Sequence, residues 1–172
     1  MLPIRKILCP TDFSEPSYAA LQTAAELAAH FGATLCLLHV TPTMPPAPTD
    51  LLVVSTNSEY YEHSMQADAA QRLQTMVRSR VPGDVQAYPL VRSGDAATQI
   101  VQAADDEHAD MLVISTHGLT GWRHLVFGSV AETVVRLARC PVLTTHNARY
   151  CAECTPPHPN RNSNNGAVKE TV

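Results

Sequence analysis

The sequence predicts a single α/β domain built on an open, doubly wound sheet of five parallel strands with helices on both faces. Three observations lead to this prediction. The chain has 172 residues, enough for one domain with a substantial core. Hydrophobic residues make up 45% and charged residues 16%, which is ordinary for a globular protein. Short apolar runs of strand length alternate along the chain with helical patterns, as is typical of parallel sheets.

The first half of the pattern begins with a short run at residues 4–9, which ends at Pro10 and predicts the first strand. Ser14 is a suitable N-cap for the helix that follows, because its hydroxyl can accept a hydrogen bond from an orphan amide. Apolar residues then recur at helical spacing until Gly32, a typical C-terminal stop. The continuous apolar run at residues 34–40 predicts a second strand that is covered on both faces.

The middle of the chain continues the alternation after an interruption. Four prolines crowd residues 41–57, which predicts a loop there. A long helix is predicted from about residue 59 to residue 80, followed by a third strand at 85–91. The turn at 93–95 leads into a third helix, and the apolar run at 111–115 predicts the fourth strand.

The fourth helix and the last strand complete the predicted domain. Ser129 and Glu132 match a capping box, which predicts Ser129 as the N-cap of a helix that reaches about Arg139. Residues 141–145 form the last predicted strand. The order of elements is therefore β-α-β-α-β-α-β-α-β, and ligands of such sheets bind at the carboxyl ends of the strands.

The end of the chain differs in composition from the rest. Residues 147–172 contain prolines and asparagines and little apolar material, so they cannot bury enough surface to become ordered. We therefore expect a folded domain over residues 1–146 and a disordered polar tail over 147–172. Cys151 and Cys154, with histidines on either side, leave a zinc or redox site as the less favoured interpretation of the tail.

Charge and hydropathy exclude several classes of protein. The net charge of -4 and the sequence pI near 6.0 give no basic excess for binding nucleic acid. Apolar stretches are too short to span a bilayer, and the N-terminus lacks the long apolar segment of a signal peptide. The chain has five cysteines, which is an odd number, and some of them lie in apolar segments. Both facts argue against a disulfide framework. We therefore expect a cytoplasmic protein that binds neither nucleic acid nor membranes.

The loop between the fourth strand and the fourth helix is the most informative motif. It carries Gly118, Gly121 and Gly128 between a buried strand and a helix N-terminus. Backbone N–H groups of such a loop, together with a helix N-terminus, form an anion site. The loop lacks the Gly-Lys-Ser/Thr of a Walker A motif, and no Gly-x-Gly-x-x-Gly follows the first strand. Neither a P-loop enzyme nor an ordinary dinucleotide-binding domain is therefore predicted.

Several separated motifs resemble the universal stress protein family. Nucleotide-binding members of that family carry Gly, two residues, Gly, nine residues, and then Gly-Ser or Gly-Thr. In this sequence Gly118 is followed by nine residues and then by Gly128-Ser129, whereas Ser115 stands at the first glycine position. Further matching segments are residues 7–14, 37–40 and 140–143, so that the resemblance covers about residues 4–146.

The resemblance implies the strand order 3-2-1-4-5 and a site for an adenine nucleotide, with ATP as the ligand. Asp12, together with Pro10 and Thr11, would lie beside the nucleotide and approach a phosphate-bound Mg²⁺. Val40 would offer its backbone to the adenine. The phosphates would be held by Gly118, Gly128, Ser129 and Val130, and the same wall would be lined by Ser115, Thr116 and His117. The last strand, residues 141–145, would pair with its copy in a second chain to form a homodimer.

The resemblance favours a stress-response regulatory or sensor module that binds ATP, and two alternatives stay open at this stage. One is a slow ATPase with His117 or Asp12 as the candidate base, because phosphoryl transfer depends mainly on positioning and charge stabilisation. The other is a dimeric interaction module that binds no nucleotide, which Ser115 favours because its Cβ restricts φ. Asp12 also has a purely structural interpretation, in which its carboxylate caps the next helix.

Overall fold

The computed structural model describes residues 3–43, 55–116 and 128–146. Within these residues the chain forms a five-stranded sheet in the order β3-β2-β1-β4-β5, and all four neighbouring pairs are parallel. The elements along the chain are β1 (Lys6–Pro10), α1 (Glu15–Phe31), β2 (Thr34–Thr41), α2 (Ser55–Arg80), β3 (Ala87–Ser93), α3 (Ala96–Asp106), β4 (Met111–Ser115), α4 (Ser129–Leu137) and β5 (Val142–Thr145). The predicted fold class and strand order are confirmed.

Two hydrophobic cores cover the two faces of the sheet. Helices α1 and α2 pack on one face, where Leu21, Leu73 and Leu37 belong to one buried cluster and at most 1% of each residue is exposed. Helices α3 and α4 pack on the other face, where Val134 and Leu112 are fully buried. Central strands are therefore apolar at consecutive positions rather than alternating ones, which is why their sequences appear as continuous apolar runs.

Helix ends follow the capping signals of the sequence in two places. Ser14 is the N-cap of α1, and its side chain accepts a hydrogen bond from the backbone N–H of Ser17. Gly32 ends the same helix in the left-handed conformation at φ 63°, and its N–H donates to the carbonyl oxygen of Ala28. A residue with a Cβ would be strained there, so this glycine has a backbone reason.

Several predicted ends were wrong by a few residues. The first strand begins at Lys6 rather than residue 4, and the third occupies Ala87–Ser93 rather than 85–91. Ile4 and Val85 are buried ahead of their strands, so burial alone made these positions resemble strand residues. Pro89 lies inside β3 without disrupting the sheet, because β3 is at the edge of the sheet as the structure describes it.

Some expectations fall on residues outside the described ranges. These are the loop residues 44–54, the glycine loop at 117–127, and the predicted tail at 147–172 with Cys151 and Cys154. Among the helices that the structure does describe, none is both long and apolar enough to cross a membrane.

The left-handed cap at Gly32 yields a stability prediction with a matched control. A Cβ at Gly32 would meet nothing within 4 Å, so Gly32→Ala should cost only backbone strain, about 1 kcal/mol of unfolding free energy. Gly83→Ala also enters open space, but Gly83 does not have a positive φ, so its cost should be near zero. Urea unfolding of both variants measures this, and equal losses would contradict the assignment.

Candidate functional site

A cavity of about 270 Å³ opens at the carboxyl ends of β1 and β4. The chain runs outward from β1 through β2 to β3 and then returns to β4 on the other side of β1, so the strand order reverses here. Open α/β sheets bind their ligands at this reversal. The lining residues are Pro10, Thr11, Asp12, Ser17, Leu38, His39, Val40, Ala96, Ile100, Ile114, Ser115, Thr116, Gly128, Ser129, Val130 and Ala131.

The cavity exists because the pairing of β1 with β4 ends before the pairing of β1 with β2 does. Pairing with β2 continues to Pro10↔Leu38, whereas pairing with β4 stops at Leu8↔Leu112. The carbonyl oxygen of Lys6 accepts a hydrogen bond on the β4 side of the strand. Because the backbone groups of successive residues point to alternate sides of a strand, those of Pro10, four residues later, also point towards β4. Proline has no N–H to donate there. The two strands therefore separate at Pro10 and leave a crevice between them.

Most residues that the sequence analysis named for a site line this one cavity. They are Pro10, Thr11, Asp12, Val40, Ser115, Thr116, Gly128, Ser129 and Val130. His117 and Gly118 lie outside the described residues. Residues that are separated by more than one hundred positions in the chain are thus brought to one crevice, although their roles in binding stay predictions.

A short chain of hydroxyl groups forms the β1 side of the cavity. The Ser17 hydroxyl donates to the carbonyl oxygen of Ser14 at 2.8 Å, which uses its single hydrogen. The Thr11 hydroxyl therefore donates to Ser17 Oγ at 2.9 Å, while Thr11 Oγ1 accepts from the N–H of Phe13 at 3.1 Å. Both hydroxyl hydrogens are used within the protein, so these buried groups offer a ligand their lone pairs.

Asp12 lines the cavity and also supports the start of α1. Its Oδ1 accepts hydrogen bonds from the backbone N–H of Ser14 at 3.0 Å and from the Ser14 hydroxyl. The cap of the helix is Ser14 and not Asp12, so the capping interpretation of Asp12 was wrong. The carboxylate instead fixes the cap residue from two positions before it, and it is the only acidic side chain among the described lining residues.

His39 contributes a third group to the same side. Its Nδ1 lies 2.7 Å from the carbonyl oxygen of Thr11, and a carbonyl can only accept, so Nδ1 carries the hydrogen. Burial lowers the pKa of His39 below its ordinary value of 6.5, and the Arg72 charge lowers it further, against opposing effects of Thr11 and Asp12. The neutral ring then leaves Nε2 as an acceptor.

The backbone of Val40 faces the crevice. In β2, the N–H of Thr34 and the C=O of Leu38 both form hydrogen bonds on the β1 side. Val40 lies an even number of residues from both, so its backbone groups point to the same side. Pairing with β1 has ended by this point, since Pro10↔Leu38 is its last pair. One N–H donor and one C=O acceptor of Val40 therefore point towards the cavity edge.

The opposite side of the cavity is built around Thr116, which is buried. Its N–H donates to Thr145 O at 3.1 Å, and its hydroxyl lies 2.8 Å from His146 Nδ1, so it connects the cavity to the end of β5. Gly128 N–H donates to the carbonyl oxygen of Thr116 at 2.7 Å. A Cβ on Gly128 would lie 3.1 Å from that same oxygen. Close backbone approach, rather than a positive φ, thus favours glycine here.

The N-terminus of α4 differs from the prediction by one residue. The N-cap is Gly128 and no side chain caps the helix, so the predicted capping box of Ser129 and Glu132 was wrong. Ser129 is already helical, and the intrahelical ladder starts with Glu132 N–H donating to Gly128 O at 2.9 Å. The amides of the first turn, including those of Ser129 and Val130, therefore lack partners within the helix. The helix dipole adds partial positive charge at this end of the cavity.

Some lining residues were missed by the sequence analysis. Ala96 and Ile100 come from the first turns of α3, and Ala131 from α4. Their apolar spacing is the same as that of core residues, so periodicity alone could not distinguish them. Ser17 could have been found only through its hydroxyl contact with Thr11, which is separated from it by a turn and the start of a helix.

Comparisons with known proteins agree with this architecture. The profile of the universal stress protein family matches residues 3–146. The chain is 30% identical over 139 residues to universal stress protein MJ0531 of Methanocaldococcus jannaschii, covering 81% of this chain and 80% of that protein. It is similar to the solved structure of MJ0577 from the same organism, with a TM-score of 0.70 and 24% identity over 85% of this chain and 99% of that one. It is also similar to a universal stress protein solved in complex with cAMP, with a TM-score of 0.52 and 24% identity over 83% and 97% of the two chains.

The lowered pKa of His39 predicts a specific pH dependence of stability. The unfolded chain binds a proton near pH 6.5, before the folded protein does, so the free energy of unfolding should fall as the pH falls below that value. His39→Asn keeps an N–H donor for the Thr11 carbonyl but does not titrate. Chemical denaturation between pH 5 and 8 should show a shallower acid limb for the variant, and parallel curves for the two proteins would contradict the prediction.

Proposed function

Because the chain belongs to the universal stress protein family, we propose that its cavity binds an adenine nucleotide, with ATP as the ligand, and that the protein acts as a stress-response regulatory module in the cytoplasm. The observation that carries this proposal is the position of the α4 N-terminus across one cavity from Asp12 and Val40. One side of the cavity suits a phosphate and the other suits a sugar and a base.

The phosphate end would be the start of α4. Amides of the first turn at Ser129 and Val130 lack partners within the helix, and the dipole favours negative charge there. Gly128 lets the start of this helix approach the Thr116 carbonyl oxygen, because a Cβ there would lie 3.1 Å from that oxygen. Asp12, the single carboxylate of the described lining, suits an oxygen ligand for Mg²⁺ whose remaining ligands would be phosphate oxygens and waters.

The sugar and base would occupy the β1 and β2 side. The hydroxyl hydrogens of Thr11 and Ser17 are donated within the protein, so the two oxygens are suited to accept hydrogen bonds from the hydroxyl groups of a ribose. The Val40 backbone presents one donor and one acceptor, which matches an adenine edge with its N6 amino group beside a ring nitrogen. Leu38, Ile100 and Ile114 provide apolar surface for the ring. The cAMP-bound universal stress protein supports an adenine nucleotide as the class of ligand.

The regulatory role rests on the connection between the cavity and the sheet edge. Thr116 lines the cavity and bonds through its N–H to Thr145 in β5, while its hydroxyl contacts His146 just beyond that strand. In the described sheet, β5 is an edge strand. We propose that β5 pairs with its copy in a second chain, so that nucleotide occupancy is transmitted through Thr116 to the dimer interface.

Nucleotide binding is tested by calorimetry with a glycine variant at the phosphate end. Mg-ATP should bind the unsubstituted protein with measurable heat, and Gly128→Ala should weaken binding about fivefold, because the added Cβ displaces the first turn of α4 from the Thr116 carbonyl. Gly83→Ala, in open space, should bind as the unsubstituted protein does. An absence of binding heat with the unsubstituted protein at high micromolar ATP would refute the proposed function.

Dimerisation is tested at the exposed edge of β5. Leu143, 38% exposed, should become an obstacle to strand pairing when replaced by lysine, since charge on an edge strand opposes association. Sedimentation velocity should show a dimer for the unsubstituted protein and a monomer for Leu143→Lys. Tyr60→Lys, which removes an apolar side chain that is 79% exposed on α2, is the control and should remain a dimer. A monomeric unsubstituted protein would exclude this assembly.

A further inference from the structure

Phe13 adopts a backbone conformation that a large residue rarely takes. Its φ is 63°, in the left-handed region that favours glycine and asparagine. The residue lies between Asp12, which lines the cavity, and Ser14, which caps α1. Strain of this kind persists only where the surrounding structure stabilises it, and it is concentrated at functional sites.

Two contacts of the Phe13 ring come from other elements of the fold. The ring of His39, at the end of β2, has its centroid 4.4 Å from the Phe13 centroid with a tilt of 39°. The guanidinium carbon of Arg72, on α2, lies 3.9 Å from the Phe13 centroid. Contacts between aromatic rings, and between a cation and a ring face, are attractive at these separations. The strained residue is therefore held by its side chain rather than by its backbone preference.

The conformation of Phe13 determines where its neighbours lie. Its own N–H donates to Thr11 Oγ1, and the N–H of the following residue donates to Asp12 Oδ1. A relaxed φ at Phe13 would rotate these two amides relative to each other and break at least one of the bonds. The Asp12 carboxylate would then lose its fixed position at the cavity.

We propose that Arg72 and His39 hold Phe13 in the left-handed conformation and thereby fix the Asp12 carboxylate for the nucleotide. Arg72 is a positioning residue in this arrangement, because α2 contributes no residue to the described lining of the cavity. The inference rests on the proposed function, since the nucleotide is the ligand whose binding the Asp12 loop would govern.

An arginine pair on α2 provides the first test with a matched control. Arg80 lies over the Tyr18 ring at 4.2 Å, a contact of the same kind that involves α1 rather than the Asp12 loop. Arg72→Gln should weaken ATP binding about threefold, which corresponds to the loss of one exposed cation–ring contact. Arg80→Gln should leave ATP affinity unchanged, and Arg72→Lys, which keeps the cation, should retain most of it. Equal effects of Arg72→Gln and Arg80→Gln on affinity would overturn the proposal.

Two substitutions of Phe13 separate backbone strain from packing. Both Phe13→Ala and Phe13→Gly remove the ring, but only glycine adopts the left-handed conformation without strain. The glycine variant should therefore bind ATP about fivefold more tightly than the alanine variant. If Phe13 served only to fill space, glycine would bind no better than alanine, because it also loosens the chain. That second result would overturn the proposal.

A measurement without nucleotide distinguishes failure of this inference from failure of the proposed function. Arg72→Gln should shift the backbone resonances of residue 13 in NMR spectra and raise the pKa of His39, which the Arg72 charge lowers. Arg80→Gln should do neither. If these shifts occur while the unsubstituted protein binds no ATP, the proposed function fails and the positioning of the loop stands. If ATP binds but Arg72→Gln leaves residue 13 and His39 unchanged, the inference alone fails.

Discussion

The separation of β1 from β4 at Pro10 is the constraint on which the rest of this structure depends. Strand β1 stays paired with β2 through Leu38 but leaves β4 after Leu112, because proline offers no amide on the β4 side. The crevice that results lies at the reversal of strand order, where the carboxyl ends of the strands and the N-termini of three helices meet. The described residues that line the cavity surround that gap.

The two sides of the crevice differ in hydrogen-bonding character for separate structural reasons. On the β1 side, the hydroxyl groups of Thr11 and Ser17 donate their hydrogens to other protein groups, so their oxygens remain as acceptors for a ligand. On the opposite side, α4 begins at Gly128 without a side-chain cap, so amide donors remain. This division suits a ligand with hydroxyl donors at one end and an anion at the other. The contact of Gly128 with Thr116 also connects the donor side to β5, and therefore to the edge of the sheet.

Packing overrides local preference where the chain passes from β1 into α1. Phe13 is a poor choice for a left-handed backbone, yet its ring contacts His39 and Arg72 from two different elements. A glycine would adopt this turn without strain but would lose the ring contact with Arg72 on α2. The loop beside the cavity is thus connected to a helix that lies on the other face of the sheet from α3 and α4.

The sequence by itself determined the fold class and the order of the elements, because hydrophobic periodicity, capping signals and turn residues are local properties of the chain. Its resemblance to a known family implied many of the residues that line the cavity. The sequence also indicated the family, because the spacing of motifs such as Gly128-Ser129 can be counted directly along the chain. Tertiary structure alone decided that α4 starts without a Ser129 cap, and that Ala96 and Ile100 line the cavity. It also decided the conformation of Phe13. These features depend on contacts between residues far apart in the chain, which local patterns do not encode.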